Sequence, residues 1–286
     1  MQSRNRARWD YMQPPGALSD VITSRKLFVR IADLYFDEQP PELNADVARY
    51  VQWSRPIPQA RWTSFCTIVI DLHKDPAVLM ADMTANTRYE IRRAERDGLI
   101  HHASADCTPE VLREFCDFYD GFAALTGLRR VNRSRLKVLA ACGVLYLSQV
   151  EDGSGNVLVW HAYWHAGRRV RLLHSAALHK AVPDASRRAL IGRANRYHVW
   201  RDMLTFREAG FLVFDLGGWY AGTADHKRLA INWFKKGFGG EIVENFNGLR
   251  PLSLKGRMAV WVYERLGHRI ASTTTACESV MKAPLV

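Results

Sequence analysis

The stretch from Val144 to Leu178 constrains this fold more than any other part of the chain. It runs VLYLSQV, EDGSGN, VLVWHAYWH, AGRR, VRLLHSAAL. Three runs rich in β-branched and aromatic residues are separated by two short polar turns, the pattern of an antiparallel meander. Directly after it, SRRALIGRANRYHVWRDMLTFREAG places apolar residues at 190, 194, 197, 200 and 204, which predicts one long amphipathic helix ended by Gly210. FLVFDLGG follows as an apolar strand running into two glycines. TADHKRLAINWFKKG then predicts a helix capped by Thr223 or Asp225, EIVENF another strand, and Leu254 to Leu266 a closing helix.

Upstream, FCTIVIDL reads as a buried strand, and DPAVLMADMTANTRYEIRRAERDG as one helix or two, closed by Gly98. A helix from Pro109 to Leu125 leads towards the meander. Residues 1–62 hold short strand candidates such as KLFVRIADLYF, broken by QPPE and SRPIPQ. The expected organisation is therefore α/β: a small amino-terminal lobe over 1–64, a mixed-sheet domain over 65–270 and a tail over 271–286.

Forty Lys and Arg against 29 Asp and Glu give a net charge of +11, which favours polyanionic partners. No apolar run is long enough to span a membrane, and MQSRNRARWDYMQPPG lacks the apolar stretch of a signal peptide, so a cytoplasmic location is expected. Five cysteines without a Cys-x-x-Cys pair fit reduced thiols better than a disulfide frame or a zinc site. His161 and His165 share one strand face but sit about 13 Å apart at about 3.3 Å per residue, too far to share an ion, and no metal is expected. Serine-hydrolase elbows, P-loops and His-Glu-x-x-His are absent from the sequence.

The order meander, long helix, apolar strand, helix, strand resembles the GNAT acyltransferase fold. NTRYEIRRAERDGL (86–99), FDLGG (214–218) and FKKGFGGE (234–241) resemble, in that order, the sequence marks of the Fem aminoacyltransferases and related GNAT-like proteins. That resemblance implies transfer of an amino acid from its tRNA ester to an amine, as in the bridge peptides of peptidoglycan precursors. Fem proteins carry two GNAT-like units. This amino-terminal part is short for a second one, so the acceptor stays open between a cell-wall precursor and another small-molecule amine. No tightly bound cofactor is expected, with aminoacyl-tRNA as co-substrate. The alternatives are an acyl-CoA-dependent GNAT N-acyltransferase and a non-catalytic protein that binds RNA or a membrane surface.

Ordinary GNAT enzymes close a glycine-rich turn around the cofactor pyrophosphate at the start of the long helix. Here Pro183 and Asp184 occupy that turn, Gly192 lies inside the helix, and Arg187, Arg188, Arg193 and Arg196 are the candidate phosphate contacts. Arg88, Arg92 and Arg96 recur every four residues on one helix face with Arg93 beside them, a second candidate phosphate surface. Lys227, Arg228, Lys235 and Lys236 offer a track for the tRNA acceptor stem or a phosphorylated acceptor. FDLGGWYAG is the expected floor of the active site. Asp215 would hold or deprotonate the attacking ammonium and Tyr220 would protonate the leaving oxygen, while Gly217, Gly218, Trp219 and Ser175 contact substrate. His174 is a further candidate base. In FKKGFGGE, Gly237 is expected to end the helix in a left-handed conformation, with Phe238 in the core.

Overall fold

The computed structural model describes residues 21–26, 28–36, 43–104 and 107–265, in two compact units. The strands are β1 (Val21–Lys26), β2 (Val29–Tyr35), β3 (Val47–Trp53), β4 (Arg61–Asp71), β5 (Ile100–Ser104), β6 (Leu145–Glu151), β7 (Val157–Ala166), β8 (Arg169–Ala177), β9 (Val213–Gly218) and β10 (Glu241–Pro251). The helices are α1 (Pro76–Asp82), α2 (Ala85–Arg96), α3 (Pro109–Thr126), α4 (Arg133–Ala141), α5 (Ala185–Glu208), α6 (His226–Lys236) and α7 (Leu254–Arg265).

The first unit comprises Ile70–Leu216 and Lys235–Gly240 among the described residues. Its strands lie in the order β9-β8-β7-β6-β5. The β6–β7–β8 meander is antiparallel as expected, and β9 joins β8 in parallel with Arg171 opposite Asp215. A long connection containing α5 makes that parallel pairing possible. Asp184 caps α5 by accepting a hydrogen bond from the Arg187 backbone N–H.

Helix α5 is not the one-faced amphipathic helix that its leucines suggest. Residues 197–200, 202, 203, 205 and 206 are all buried, so its second half is covered nearly all round. His198 and Asp202 are among these core residues. Phe206 meets Tyr146 at 4.6 Å and Tyr163 at 5.0 Å, centroid to centroid, fixing α5 to the sheet.

The second unit comprises the described residues of Pro15–Val69, Gly217–Phe234 and Glu241–Val286, with strand order β1-β2-β3-β10-β4. These units interleave along the chain. Strand β10 explains why: it pairs with β3 on one edge and β4 on the other, and it continues well past EIVENF to Pro251. Asp46 anchors the unit's carboxyl-terminal part. Its carboxylate accepts from the Arg30 N–H and the Ser253 hydroxyl, and its carbonyl accepts from the Leu252 N–H. Among the described residues Cys107, Cys116 and Cys142 are free thiols.

Candidate active site

FDLGG and FKKGFGGE deliver their charged groups to one place in the first unit. Asp215 is fully buried on β9, where its Oδ2 accepts from Arg169 Nη2 at 2.6 Å and Nε at 3.2 Å. A buried carboxylate held by a guanidinium is a counter-ion, not a base poised to take a proton. The Asp215 carboxylate, expected to hold or deprotonate the attacking ammonium, is here paired with Arg169. Removing it leaves Arg169 without that counter-charge, so Asp215→Ala is expected to cost about 3–5 kcal/mol, read from urea unfolding.

Lys235 is the group that this arrangement tunes. Burial pushes its ammonium down to about 8, the Asp215 charge offsets part of that, and Arg171 on β8 adds to it. An amine so placed is mostly protonated at neutral pH yet able to release its proton. The sequence singled out Lys235 only as a phosphate contact, because nothing in it marks which of two adjacent lysines turns inward. Lys236 instead donates from Nζ to the Gly240 carbonyl at 3.1 Å. Gly237 does not take a left-handed conformation; Gly239 and Gly240 do, at φ 82° and 80°. A Cβ on Gly239 would also sit 3.0 Å from the Asp82 carbonyl oxygen. The turn therefore comes two residues later than expected, while Phe238 fills the core as anticipated.

In the second unit, β9 continues through Gly217 (φ 80°) into the loop at 219–222. The Trp219 N–H donates to the Cys66 carbonyl at 2.8 Å. Asn232 clamps the Tyr220 backbone from both sides, its Oδ1 accepting from the N–H and its Nδ2 donating to the carbonyl. A Cβ on Gly218 would come within 3.3 Å of the Phe65 ring. The Tyr220 ring lies under the Arg228 guanidinium at 5.3 Å and folds back over Gly222. Asp225, not Thr223, caps α6 by accepting from the backbone N–H groups of Lys227 and Arg228.

His174 and Ser175 are successive residues on β8 and so face opposite sides of the sheet. His174 packs against Tyr119 at 4.7 Å, and burial, helped by Arg135, lowers its pKa to about 4. It is a neutral, weakly basic ring among aromatics. Ser175 pairs across the sheet with His161.

Several candidate phosphate contacts are engaged within the protein. Arg88 donates to the Ala81 and Met83 carbonyls, Arg188 to those of Val182 and Pro183, Arg187 pairs with Asp152, and the buried Arg193 pairs with Asp97 at 2.7 Å. Arg196 is half-buried and donates to the Gly192 carbonyl. Arg92, Arg93 and Arg96 remain exposed along α2.

A concave feature of about 700 Å³ lies in the second unit between α7 and strands β2 and β3, lined by Phe28, Ile31, Val47, Met258 and Val260.

No family model matches the sequence, and no curated protein matches it. Solved structures do match. FemX is 13% identical, with 86% of each chain covered and a TM-score of 0.62. The C-terminal domain (DUF2156) of a putative lysylphosphatidylglycerol synthetase from Agrobacterium fabrum is 15% identical, with 91% of each chain covered and a TM-score of 0.54. At such identities the likeness is one of fold, and the fold is the GNAT-like mixed α/β arrangement expected from the meander. Among the described residues no helix is long and apolar enough to cross a membrane.

Proposed function

We propose that this chain, built on the fold it shares with FemX, is an acyltransferase that moves an aminoacyl group from aminoacyl-tRNA to a primary amine of a small-molecule or cell-wall precursor acceptor. The observation that carries this reading is the buried Asp215 beside a Lys235 held at about 8, at the junction of two motifs that resemble those of Fem proteins.

Aminolysis of an ester places negative charge on the carbonyl oxygen as the amine attacks. A desolvated ammonium aimed at that charge stabilises the transition state far more than it would in water. Lys235 fills this role in its protonated form, with Asp215 and Arg169 fixing the local field. The attacking amine must lose a proton, and a lysine near 8 can pass one on as the intermediate collapses. No covalent enzyme intermediate is required, so positioning supplies much of the remaining acceleration.

The start of α5 favours tRNA over acyl-CoA as donor. A cofactor pyrophosphate needs open backbone N–H groups at a helix amino terminus. Here the Asp184 carboxylate, itself bonded to the Ser186 hydroxyl, occupies that end and repels an anion. Exposed Arg92, Arg93 and Arg96 on α2 supply phosphate contacts that a macromolecular donor can use. In the second unit Lys227 is also exposed.

Two measurements test the reading. The first follows radiolabel from a mixed pool of charged tRNAs into acid-stable product in the presence of cell extract, with labelled acetyl-CoA run in parallel. Label leaving tRNA only when enzyme is present supports the proposal, and label moving from coenzyme A alone replaces it with the acyl-CoA reading. The second is tRNA binding by Arg92→Ala/Arg96→Ala as salt is varied. It is expected to weaken about tenfold, with the slope of log K against log salt reduced by about 2. Unchanged binding removes α2 from the donor surface.

A further inference from the structure

A cluster that the transfer chemistry does not use lies in the core of the first unit. Asp202, fully buried on α5, is surrounded by side chains from two strands and its own helix. His101 Nε2 on β5 lies 2.8 Å from Oδ1, while His161 Nδ1 and the Tyr163 hydroxyl on β7 lie 2.9 and 2.7 Å from Oδ2. His198, one helical turn before Asp202, brings Nε2 to 3.4 Å from Oδ2.

A buried carboxylate is costly unless a positive charge accompanies it. The partners of Asp202 among the described residues are three imidazoles and a phenol. The His198 ring stacks on that of His161 at 3.7 Å and 7°. Its Nε2 pairs with the Ser148 hydroxyl at 2.7 Å, while Nδ1 is buried without a hydrogen-bond partner among the described residues. Two imidazoles converging on one buried carboxylate form a donor set that a metal ion can use.

We propose that His101, His198 and Asp202 bind a borderline transition-metal dication of the zinc class, holding β5 to α5. One donor atom from each of the three residues lies within 4.8 Å of the others, near enough for small side-chain adjustments to close them around a single ion. Two nitrogens and one carboxylate favour zinc, cobalt or nickel over calcium or magnesium. His161 and Tyr163 serve as the outer layer that orients Asp202, with Asn195 Oδ1 in turn 2.9 Å from His161 Nε2. His161 is not itself counted as a ligand, because its ring lies parallel to that of His198 and the in-plane lone pairs of stacked rings do not converge. The spacing of His161 and His165 rules out their sharing an ion, but bears on none of the residues proposed here.

The test is independent of the transfer reaction. Untagged full-length protein is stripped with chelator and titrated with zinc and with cobalt. One equivalent per chain is expected, with the visible absorption of low-coordinate cobalt. A Tm rise of about 5–10 °C should appear at zinc about a hundredfold above Kd. His101→Gln keeps a donor towards Asp202 but removes the imidazole lone pair, and should weaken binding at least about tenfold. Tyr163→Phe should weaken it about 10–100-fold by freeing Asp202. His73→Gln, at an exposed histidine, should leave binding unchanged. Absence of a stoichiometric equivalent, an unmoved Tm, or equal zinc affinity in His101→Gln and wild type would overturn the proposal and leave a purely hydrogen-bonded network.

Discussion

Replacing Lys235 by methionine is expected to lower kcat by about 10²–10³ while raising stability at pH 7 by about 2 kcal/mol. The loss of rate is the usual effect of removing one group that stabilises charge in the transition state. The gain in stability follows from the cost of keeping an ammonium at a site where burial lowers its pKa from 10.5 to about 8. Each tenfold loss of proton affinity on folding costs about 1.4 kcal/mol, giving a limit of about 3 kcal/mol, and Met fills the same volume without the charge. A gain in stability with a loss of turnover is the signature of a residue retained for function.

The pH dependence separates this account from a simple packing effect. Because the folded-state pKa of Lys235 lies below its unfolded value, the unfolded chain binds more protons between about pH 8 and 10.5. Stability contributed by this group therefore rises with pH across that window. The advantage of Lys235→Met should be full below pH 8 and gone above 10.5, as measured by urea unfolding at several pH values. Turnover of the wild type should instead fall as pH rises through about 8, where the ammonium is lost. Lys235→Arg, charged throughout, should move that alkaline limb upward even at reduced overall rate. A pH–rate profile with no limb near 8 would remove the ammonium from the mechanism.

Much of this architecture was legible because local rules and burial agree. Polar turns bound the meander strands, Gly98 and Gly210 close α2 and α5 at φ 71° and 84°, and Asp225 caps α6. Helix α4 and the reach of β10 to Pro251 were not, since RSRLKVLAA is highly basic and NGLRP carries turn residues. At the site, the sequence located FDLGG and FKKGFGGE but not the roles within them. Whether Asp215 is a base or a counter-ion depends on Arg169, which lies 46 residues away in sequence. The buried cluster was hidden for a related reason. His198 and Asp202 stand at helical spacing within a run whose apolar residues dominate its pattern, and His101 lies 101 residues from its partner. An i, i+4 His–Asp pair inside a predicted core helix was the available signal.

Gly256 gives the largest stability effect expected in the second unit, and the sign runs against helix propensity. It lies within α7, where alanine is ordinarily better than glycine by about 1 kcal/mol. A Cβ at this position, however, would stand 1.8 Å from the Asp46 carbonyl oxygen and 2.8 Å from its carbon. That carbonyl cannot step aside freely. It accepts the Leu252 N–H at 2.8 Å, and the Asp46 side chain is held by Ser253, whose hydroxyl also accepts from the Gly256 N–H. Relief requires α7 to lift off β3 and surrender the burial of Val260 along with these bonds. Gly256→Ala should therefore destabilise by about 3 kcal/mol or more, lowering Tm by about 6–12 °C. Ser253→Ala removes one restraint without adding a clash, and should cost only about 1 kcal/mol. Equal effects from the two substitutions would mean that α7 is held by the Asp46 hydrogen bonds alone, and a neutral Gly256→Ala would mean that the helix stands farther from Asp46 than its glycine implies.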